Sequence, residues 1–257
     1  MCRLMGYAGP NPVSLQNVIL DAPNGILRQS VCDRDSCKPN DDGWGFGFEE
    51  NGQFHVIKEA SAPRNDKLFL DTAHRPFKRV MLHIRRASVG GASKVNTHPW
   101  IYHQDIIFAH NGSVYGIENV MDSALAKIDP ALSGHITGNT DSEYAMHLFL
   151  TYLRKYNPAQ TLDIHFVRTS LQHTIADLRE ISRRADASRK PQLNFMMLTR
   201  DYLIATKVMH SLGYYTSYQG GTLVTSEALD NNDGWTLMKE ETMIVVSRNG
   251  DYALYDI

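Results

Sequence analysis

Cysteine is scarce in this chain, with three residues among 257. An odd and sparse set argues against the disulfide framework of small secreted proteins and fits the reducing cytoplasm, where we expect the protein to reside. Cys32 and Cys37 have no second Cys or His pair nearby at metal-ligand spacing. We therefore expect these two cysteines to be structural or incidental, and we expect no metal site.

A strong net charge and long apolar runs are also missing. The formal net charge is −2 and the isoelectric point is about 6.6, so no basic field attracts nucleic acid. No apolar stretch approaches the roughly 20 residues that cross a bilayer, and residues 1–6 are too short and mixed for a signal peptide. The expected partner is therefore a small molecule, with neither nucleic acid nor membrane.

Apolar and alternating segments predict β-strands on both sides of a helical middle. The predicted strands span residues 4–8, 43–48, 54–57, 80–84, 106–109, 193–198, 202–208, 222–225, 243–246 and 252–255. Asn-Gly pairs at 51–52 and 249–250 are typical of tight turns between antiparallel strands. The strands should therefore form antiparallel sheets.

The middle of the chain carries two helical patterns. Thr140 and Glu143 have the spacing of a capping box, and an apolar stripe at helical period follows over residues 162–185. Strands, then helices, then strands, without regular alternation, predict the α+β class. We expect a four-layer αββα sandwich, in which two antiparallel sheets stack face to face and helices cover both outer faces.

Cys2 stands directly behind the initiator Met1. A small residue at this position permits removal of Met1, which would give Cys2 both a thiol and a free α-amine. That amine has a reference pKa of roughly 7.7–8.0, so it can accept a proton near pH 7. One residue would then supply a nucleophile and its base. The alternative is that cysteine occupies position 2 by chance.

Four polar segments follow Cys2 in a characteristic order, at residues 83–90, 96–99, 109–114 and 138–143. In this order and spacing, behind an N-terminal cysteine, they resemble the class II glutamine amidotransferases, which are N-terminal nucleophile hydrolases. The resemblance extends over roughly the whole chain and implies a single domain of this type over residues 1–257. It also implies that no metal or organic cofactor is needed.

The resemblance assigns catalytic roles to Cys2, Asn111 and Gly112. Attack of the Cys2 thiolate on an amide carbonyl builds negative charge on oxygen, which the Asn111 side-chain N–H and the Gly112 backbone N–H would stabilise. Glycine also permits close approach of the backbone. The alternative is that Asn111-Gly112 is only a turn.

Substrate-binding roles follow for Arg85, Ser88, His98 and Asp141. Arg85 suits the α-carboxylate of a glutamine-like substrate, Ser88 adds a hydroxyl, and Asp141 suits the α-ammonium. His98, like His110, would orient loops around the pocket. The alternatives are a surface salt bridge for Arg85 and a helix N-terminal acid for Asp141.

One further segment, Asp41-Asp42-Gly43-Trp44-Gly45-Phe46-Gly47, is similar to short, stand-alone members of the family. Three others are similar to the ergothioneine-pathway γ-glutamyl amidohydrolases: Cys2-Arg3-Leu4-Met5-Gly6-Tyr7, Leu27-Arg28-Gln29-Ser30 and Ser226-Glu227-Ala228-Leu229. The implied function is cysteine-dependent hydrolysis of a γ-glutamyl amide through a γ-glutamyl thioester. The alternatives are a glutaminase subunit that supplies ammonia to a separate synthase, and a binding protein without turnover.

The leaving side of the substrate is expected to meet two segments without a recognisable motif. These segments span residues 33–40 and 211–221, and both are interpreted as loops. Neither identifies the group that leaves.

Overall fold

The computed structural model describes residues 2–32, 37–157 and 162–257. Their strands are β1 (Arg3–Ser14), β2 (Trp44–Glu50), β3 (Gln53–Glu59), β4 (Pro76–Ile84), β5 (Trp100–Tyr102), β6 (Ile106–Ser113), β7 (Gln192–Thr199), β8 (Tyr202–Lys207), β9 (Gly213–Tyr218), β10 (Gly221–Thr225), β11 (Trp235–Leu237), β12 (Thr242–Ser247) and β13 (Tyr252–Asp256). The α-helices are α1 (Ile26–Val31), α2 (Lys67–Ala73), α3 (Met121–Leu125), α4 (Pro130–Ser133), α5 (Asp141–Tyr156) and α6 (Ile164–Ala185).

The strands form two sheets in which every neighbouring pair is antiparallel. One sheet has the order β11-β9-β10-β1-β4-β2-β3, and the other has the order β13-β12-β8-β7-β6-β5. Strand β1 therefore lies in the middle of the first sheet, while β6 and β7 are neighbours in the second. These positions matter because the predicted nucleophile precedes β1 and the predicted oxyanion residues lie on β6.

Three apolar clusters define the layers. Side chains such as Leu4, Met81, Ile107 and Met196 fill the space between the two sheets. A second cluster packs α5 and α6 against the outer face of the six-stranded sheet, and a third packs α1 and α2 against the seven-stranded sheet. Each sheet thus buries both faces, and the predicted α+β αββα sandwich of antiparallel sheets is confirmed.

The two long helices begin where the sequence predicts. The Thr140 hydroxyl accepts the Glu143 N–H at 3.1 Å, and the Glu143 carboxylate accepts the backbone N–H groups of Thr137 and Gly138. The cap therefore fixes the residues that precede α5 as well as its first turn. Helix α6 begins at Ile164, within two residues of the predicted start. None of the helices in the three described ranges is both long and apolar enough to cross a membrane.

The short strands β5, β9 and β11 were not predicted. β9 lies inside residues 211–221, so the interpretation of that whole segment as a loop is wrong. β5 and β11 are the last strands of their sheets, and β9 pairs with β11 and β10. Strands this short at a sheet margin need little apolar periodicity, because cross-strand pairing holds them in place.

The sequence argued against a disulfide framework, yet Cys32 and Cys37 form one disulfide, with their Cα atoms 3.9 Å apart. Both cysteines are exposed, and Cys2 is the free cysteine of the chain. Of the predicted leaving-group loop 33–40, residues 33–36 lie outside the described part of the chain.

Candidate functional site

The start of β1 holds Cys2 in place. Arg3 forms a buried ion pair with Glu227 at 2.5 Å, and the Leu4 N–H donates to the Ser226 hydroxyl at 2.8 Å. Both partners belong to the Ser226-Glu227 segment that the sequence had singled out without a role. Cys2 itself is 9% exposed. Its position is therefore fixed by the residues that immediately follow it.

The Cys2 thiol interacts with the backbone of Arg86, just beyond the end of β4. The Arg86 N–H donates to Sγ at 3.3 Å, and the thiol donates to the Arg86 carbonyl oxygen at 3.4 Å. Burial raises the pKa of the thiol, while the Arg86 N–H and the positive charge of Arg85 act in the opposite direction. Because burial is the largest of these effects, the thiol needs a base to become a nucleophile.

Asn111 and Gly112 lie on β6, paired with Asn194 and Leu193 of β7, so they are not a turn. Asn111 is buried, and its amide oxygen has no hydrogen-bond partner, a feature that functional sites often carry. A Cβ atom on Gly112 would lie 1.8 Å from the Gln192 carbonyl oxygen. Glycine is therefore required at this position by the approach of the neighbouring strand.

Arg85 is buried and does not form a surface salt bridge. Its guanidinium donates to the carbonyl oxygens of Val89 at 2.8 Å and Gly91 at 2.5 Å. Burial lowers the pKa of Arg85, and the charges of Cys2, Asp42 and Asp141 raise it. The guanidinium therefore interacts electrostatically with Cys2, and its hydrogen bonds hold the loop that follows β4.

Asp141 is the first residue of α5 and is also buried beside the site. Its Oδ2 accepts the Val114 N–H at 2.7 Å, and its Oδ1 accepts the Ser142 hydroxyl at 3.2 Å. A carboxylate in the first turn of a helix is favoured by the helix dipole, so the structural role proposed as an alternative is present. The carboxylate also lines the cavity that contains Cys2.

Three histidines surround the site in different ways. His110 contacts the Ser142 hydroxyl through Nδ1 at 2.9 Å and the Gln192 carbonyl through Nε2 at 2.8 Å. His98 packs on His83 with ring centroids 4.1 Å apart, and neither ring has a hydrogen-bond partner. Burial lowers the pKa of both rings well below its usual value, so both are neutral near pH 7.

One narrow cavity brings most of these residues together. Its lining consists of Cys2, Arg85, Arg86, Ser88, Val89, His98, His110, Gly112, Thr140, Asp141 and Ser142. Six of the seven predicted site residues thus share one cavity, and the seventh, Asn111, directly precedes Gly112. Two wider clefts, of about 550 and 530 Å³, lack Cys2 and the other predicted site residues.

The cavity that contains Cys2 is small. The Ser88 hydroxyl, on the loop that lines it, lies 3.1 Å from the Ser113 hydroxyl, and the Arg85 bonds to Val89 and Gly91 hold the same loop. The space open to the centre of a water molecule is about 10 Å³, roughly enough for a single water. A substrate of the size of glutamine therefore requires displacement of the loop after β4.

Chemically, this constellation combines a buried thiol, a glycine backbone on an adjacent strand, a guanidinium and a carboxylate. Residues 1–205 match the sequence profile of the family described as "Glutamine amidotransferases class-II". The chain belongs to the class II glutamine amidotransferases. The family consists of enzymes, and the resemblance expected from the four polar segments is confirmed.

The chain is similar to several curated proteins. It is 28% identical over 234 residues to the probable glutamine amidotransferase DUG3 of Saccharomyces cerevisiae, covering 82% of this chain and 64% of that one. It is 25% identical over 251 residues to the gamma-glutamyl-hercynylcysteine sulfoxide hydrolase of Mycolicibacterium smegmatis, covering 96% of both. The chain spans between 39% and 64% of the length of the other four curated relatives that it matches.

A solved structure confirms the fold. The glutamine aminotransferase class-II domain protein of Silicibacter pomeroyi superposes with a TM-score of 0.72 over 99% of both chains, at 20% identity. At this identity the likeness concerns the fold alone. The predicted arrangement of two antiparallel sheets with flanking helices is therefore shared with a glutamine amidotransferase-type protein.

Proposed function

We propose that this enzyme hydrolyses a γ-glutamyl amide bond with Cys2 as the nucleophile, releasing glutamate. The observation that carries the proposal is the shared cavity of Cys2, Arg85, Gly112 and Asp141. A γ-glutamyl substrate has one α-carboxylate, one α-ammonium and one reacting carbonyl. Arg85 would bind the carboxylate, Asp141 would bind the ammonium, and Cys2 and Gly112 would act on the carbonyl.

In the proposed reaction the Cys2 α-amine takes the proton of the thiol. The thiolate forms a bond to the γ-carbonyl carbon, and the carbonyl electron pair moves onto oxygen, where Asn111 and Gly112 donate hydrogen bonds. As the electron pair returns, the C–N bond breaks and the leaving amine takes the proton from the Cys2 ammonium. Water then attacks the thioester carbonyl and gives a proton to the α-amine. The C–S bond breaks, the Cys2 thiolate takes that proton back from the ammonium, and glutamate is released.

Substrate binding would replace contacts that the site makes within the chain. Arg85 now donates to Val89 and Gly91, and a substrate α-carboxylate would take over these two bonds in a bidentate arrangement. Asp141 would accept from the α-ammonium beside its bond to Val114. Ser88 would leave Ser113 and face the ligand, because Ser88 lines the cavity.

We expect Arg85→Lys to raise KM at least about 10-fold, with a smaller effect on kcat. Lysine keeps the positive charge but cannot bind a carboxylate through two parallel hydrogen bonds. Steady-state kinetics with the best γ-glutamyl substrate measure the two constants separately. An unchanged KM would remove Arg85 from carboxylate binding.

The mechanism requires that Met1 be removed, since only then does the α-amine belong to Cys2. Met1 lies outside the described residues. We expect the intact mass of the protein expressed in cells to correspond to a chain that starts at Cys2. An active preparation that retains Met1 on every molecule would contradict the assignment of the base.

The leaving amine is proposed to be peptide-like. The relative from M. smegmatis that matches over 96% of its length is named for hydrolysis of a γ-glutamyl-hercynylcysteine sulfoxide. This name supports the proposal of such a substrate, and with it a role in ergothioneine biosynthesis. We also propose a cytoplasmic location and one domain over residues 1–257. The profile match over residues 1–205 and the relative that matches over 96% of this chain support the single domain. The scarcity of cysteine supports the location.

A screen for glutamate release tests the function. The enzyme, with Cys2→Ala as the matched control, is incubated with glutamine, glutathione and other γ-glutamyl amides, and both glutamate and ammonia are measured. We expect one or more γ-glutamyl peptides to be cleaved faster than glutamine. Preference for glutamine, with ammonia increasing when a synthase is added, would favour the ammonia-supplying subunit. Absence of turnover on every substrate would favour a binding protein.

A further inference from the structure

The backbone hydrogen bonds between β2 and β4 continue past the ends of both strands. They join Asp42 and Gly43, which precede β2, to Arg85, which follows β4. The paired strands end at Trp44 opposite Ile84. The Arg85 N–H then donates to the Gly43 carbonyl at 2.7 Å, and the Asp42 N–H donates to the Arg85 carbonyl at 3.2 Å. The backbone N–H and the backbone carbonyl of Arg85 are thus both hydrogen-bonded.

The Asp42 side chain extends this contact by one further step. Its Oδ2 accepts the Ala87 N–H at 2.8 Å. Asp42 therefore binds the two residues that flank Arg86. Its backbone N–H binds Arg85, and its carboxylate binds Ala87. The N–H and the carbonyl of Arg86, left between these two anchors, both meet the Cys2 sulfur.

We propose that Asp42 is a positioning residue that fixes the Arg86 N–H as a hydrogen-bond donor to the Cys2 thiolate. The inference rests on the proposed function, since it concerns the nucleophile of that reaction. Asp42 acts through the backbone of Ala87 and Arg86. It thereby gives a role to the Asp-Gly-Trp-Gly segment, which had none in the sequence.

The physical consequence concerns the ionisation of Cys2. Burial raises the pKa of the thiol, and the Arg86 N–H is the first of the groups that lower it. An Arg86 N–H that keeps pointing at the sulfur stabilises the Cys2 thiolate. If the loop after β4 becomes mobile, this N–H no longer stabilises the thiolate to the same extent. Removing the acceptor at position 42 therefore reduces the thiolate fraction without changing any group that contacts the sulfur.

The test measures alkylation of Cys2 by iodoacetamide between pH 6 and pH 10, on protein that lacks Met1. Because Cys32 and Cys37 form a disulfide, Cys2 is the thiol that reacts in the absence of reductant. For Asp42→Ala we expect an apparent pKa about one unit higher and alkylation about 10-fold slower at pH 7. Asp42→Asn, which keeps an acceptor oxygen but loses the charge, should restore the wild-type profile.

Asp41→Ala is the matched control, because the neighbouring carboxylate binds Arg64 near the surface, with one bond at 2.8 Å, and should leave alkylation unchanged. Asp42→Leu fills a similar space without an acceptor and replaces Asp42→Ala if that variant does not fold. The other ionisable groups around the thiol are the same in every variant: the Cys2 α-amine, Arg3, Arg85, His98, His110 and Asp141.

Two results would overturn the proposal. An Asp42→Ala profile equal to that of the wild type would show that Asp42 does not act on Cys2. An Asp42→Asn profile as slow as that of Asp42→Ala would show that the hydrogen bond accepted at position 42 is not what acts on Cys2. Alkylation of Cys2 needs no turnover. Failure of the wild type to cleave γ-glutamyl amides would therefore refute the proposed function, while the alkylation profiles would still decide whether Asp42 acts on Cys2.

Discussion

Cys2→Ser is expected to reduce γ-glutamyl hydrolysis by at least about 10³-fold while the protein remains folded. Serine is small enough for Met1 removal, so the α-amine stays in place and only sulfur is replaced by oxygen. A hydroxyl is far less acidic than a thiol, and the same buried base would leave it almost fully protonated. The ion pair of Arg3 with Glu227 does not involve the side chain at position 2, so the fold should persist.

Labelling with 6-diazo-5-oxonorleucine provides the second measurement for this variant. The wild type should gain one adduct on the peptide that begins at Cys2, and Cys2→Ser should gain none at the same concentration. The matched control is the double variant Cys32→Ser, Cys37→Ser, which removes the exposed disulfide and should keep most of the activity. Turnover by Cys2→Ser within 10-fold of the wild type would exclude the thiol as nucleophile.

Gly112→Ala is expected to damage both stability and catalysis. The new methyl group would lie 1.8 Å from the Gln192 carbonyl oxygen and 2.6 Å from the His110 Nε2, so β6 and β7 must separate locally. Overpacking against a backbone costs about 1–3 kcal/mol of unfolding free energy. Displacing the Gly112 N–H from the oxyanion should cost roughly a further 10²–10³-fold in kcat.

Gly134→Ala is the control for this prediction. Gly134 has φ −68°, which any residue adopts, and a Cβ there meets no atom within 4 Å. Urea unfolding and kcat of the two variants are compared under the same conditions. If Gly112→Ala matched Gly134→Ala in both measurements, neither the close approach to Gln192 nor the oxyanion role of Gly112 would stand.

Much of the fold follows from local patterns. The capping residue Thr140 and the apolar stripe of α6 predicted both long helices, because caps and periodicity act within one or two turns. The Asn51-Gly52 turn joins β2 and β3 as predicted, with positive φ at both residues. Strand β9, in contrast, was interpreted as loop, because its sequence GYYTSY does not alternate apolar with polar residues and its pairing with β10 and β11 holds it in the sheet.

The sequence predicted which residues form the candidate site, but it did not predict the hydrogen bonds that these residues make. Residue types and spacing named Arg85 and Asp141. They did not show that Arg85 binds the loop carbonyls of Val89 and Gly91, or that Asp141 accepts the Val114 N–H. Such contacts depend on how a loop returns to the strand before it, which no local pattern encodes.

The chain order of Cys2, Arg85, Asn111 and Asp141 was enough to predict the family of this protein, because residue types and their order can be read from the sequence. Tertiary structure alone decided how these residues are arranged. It brought Cys2 against the Arg86 backbone, which lies 84 residues later, and joined Cys32 to Cys37. The reason is that sheet pairing and loop closure bring distant backbone groups within hydrogen-bond distance, and these groups carry no side-chain signal in the sequence.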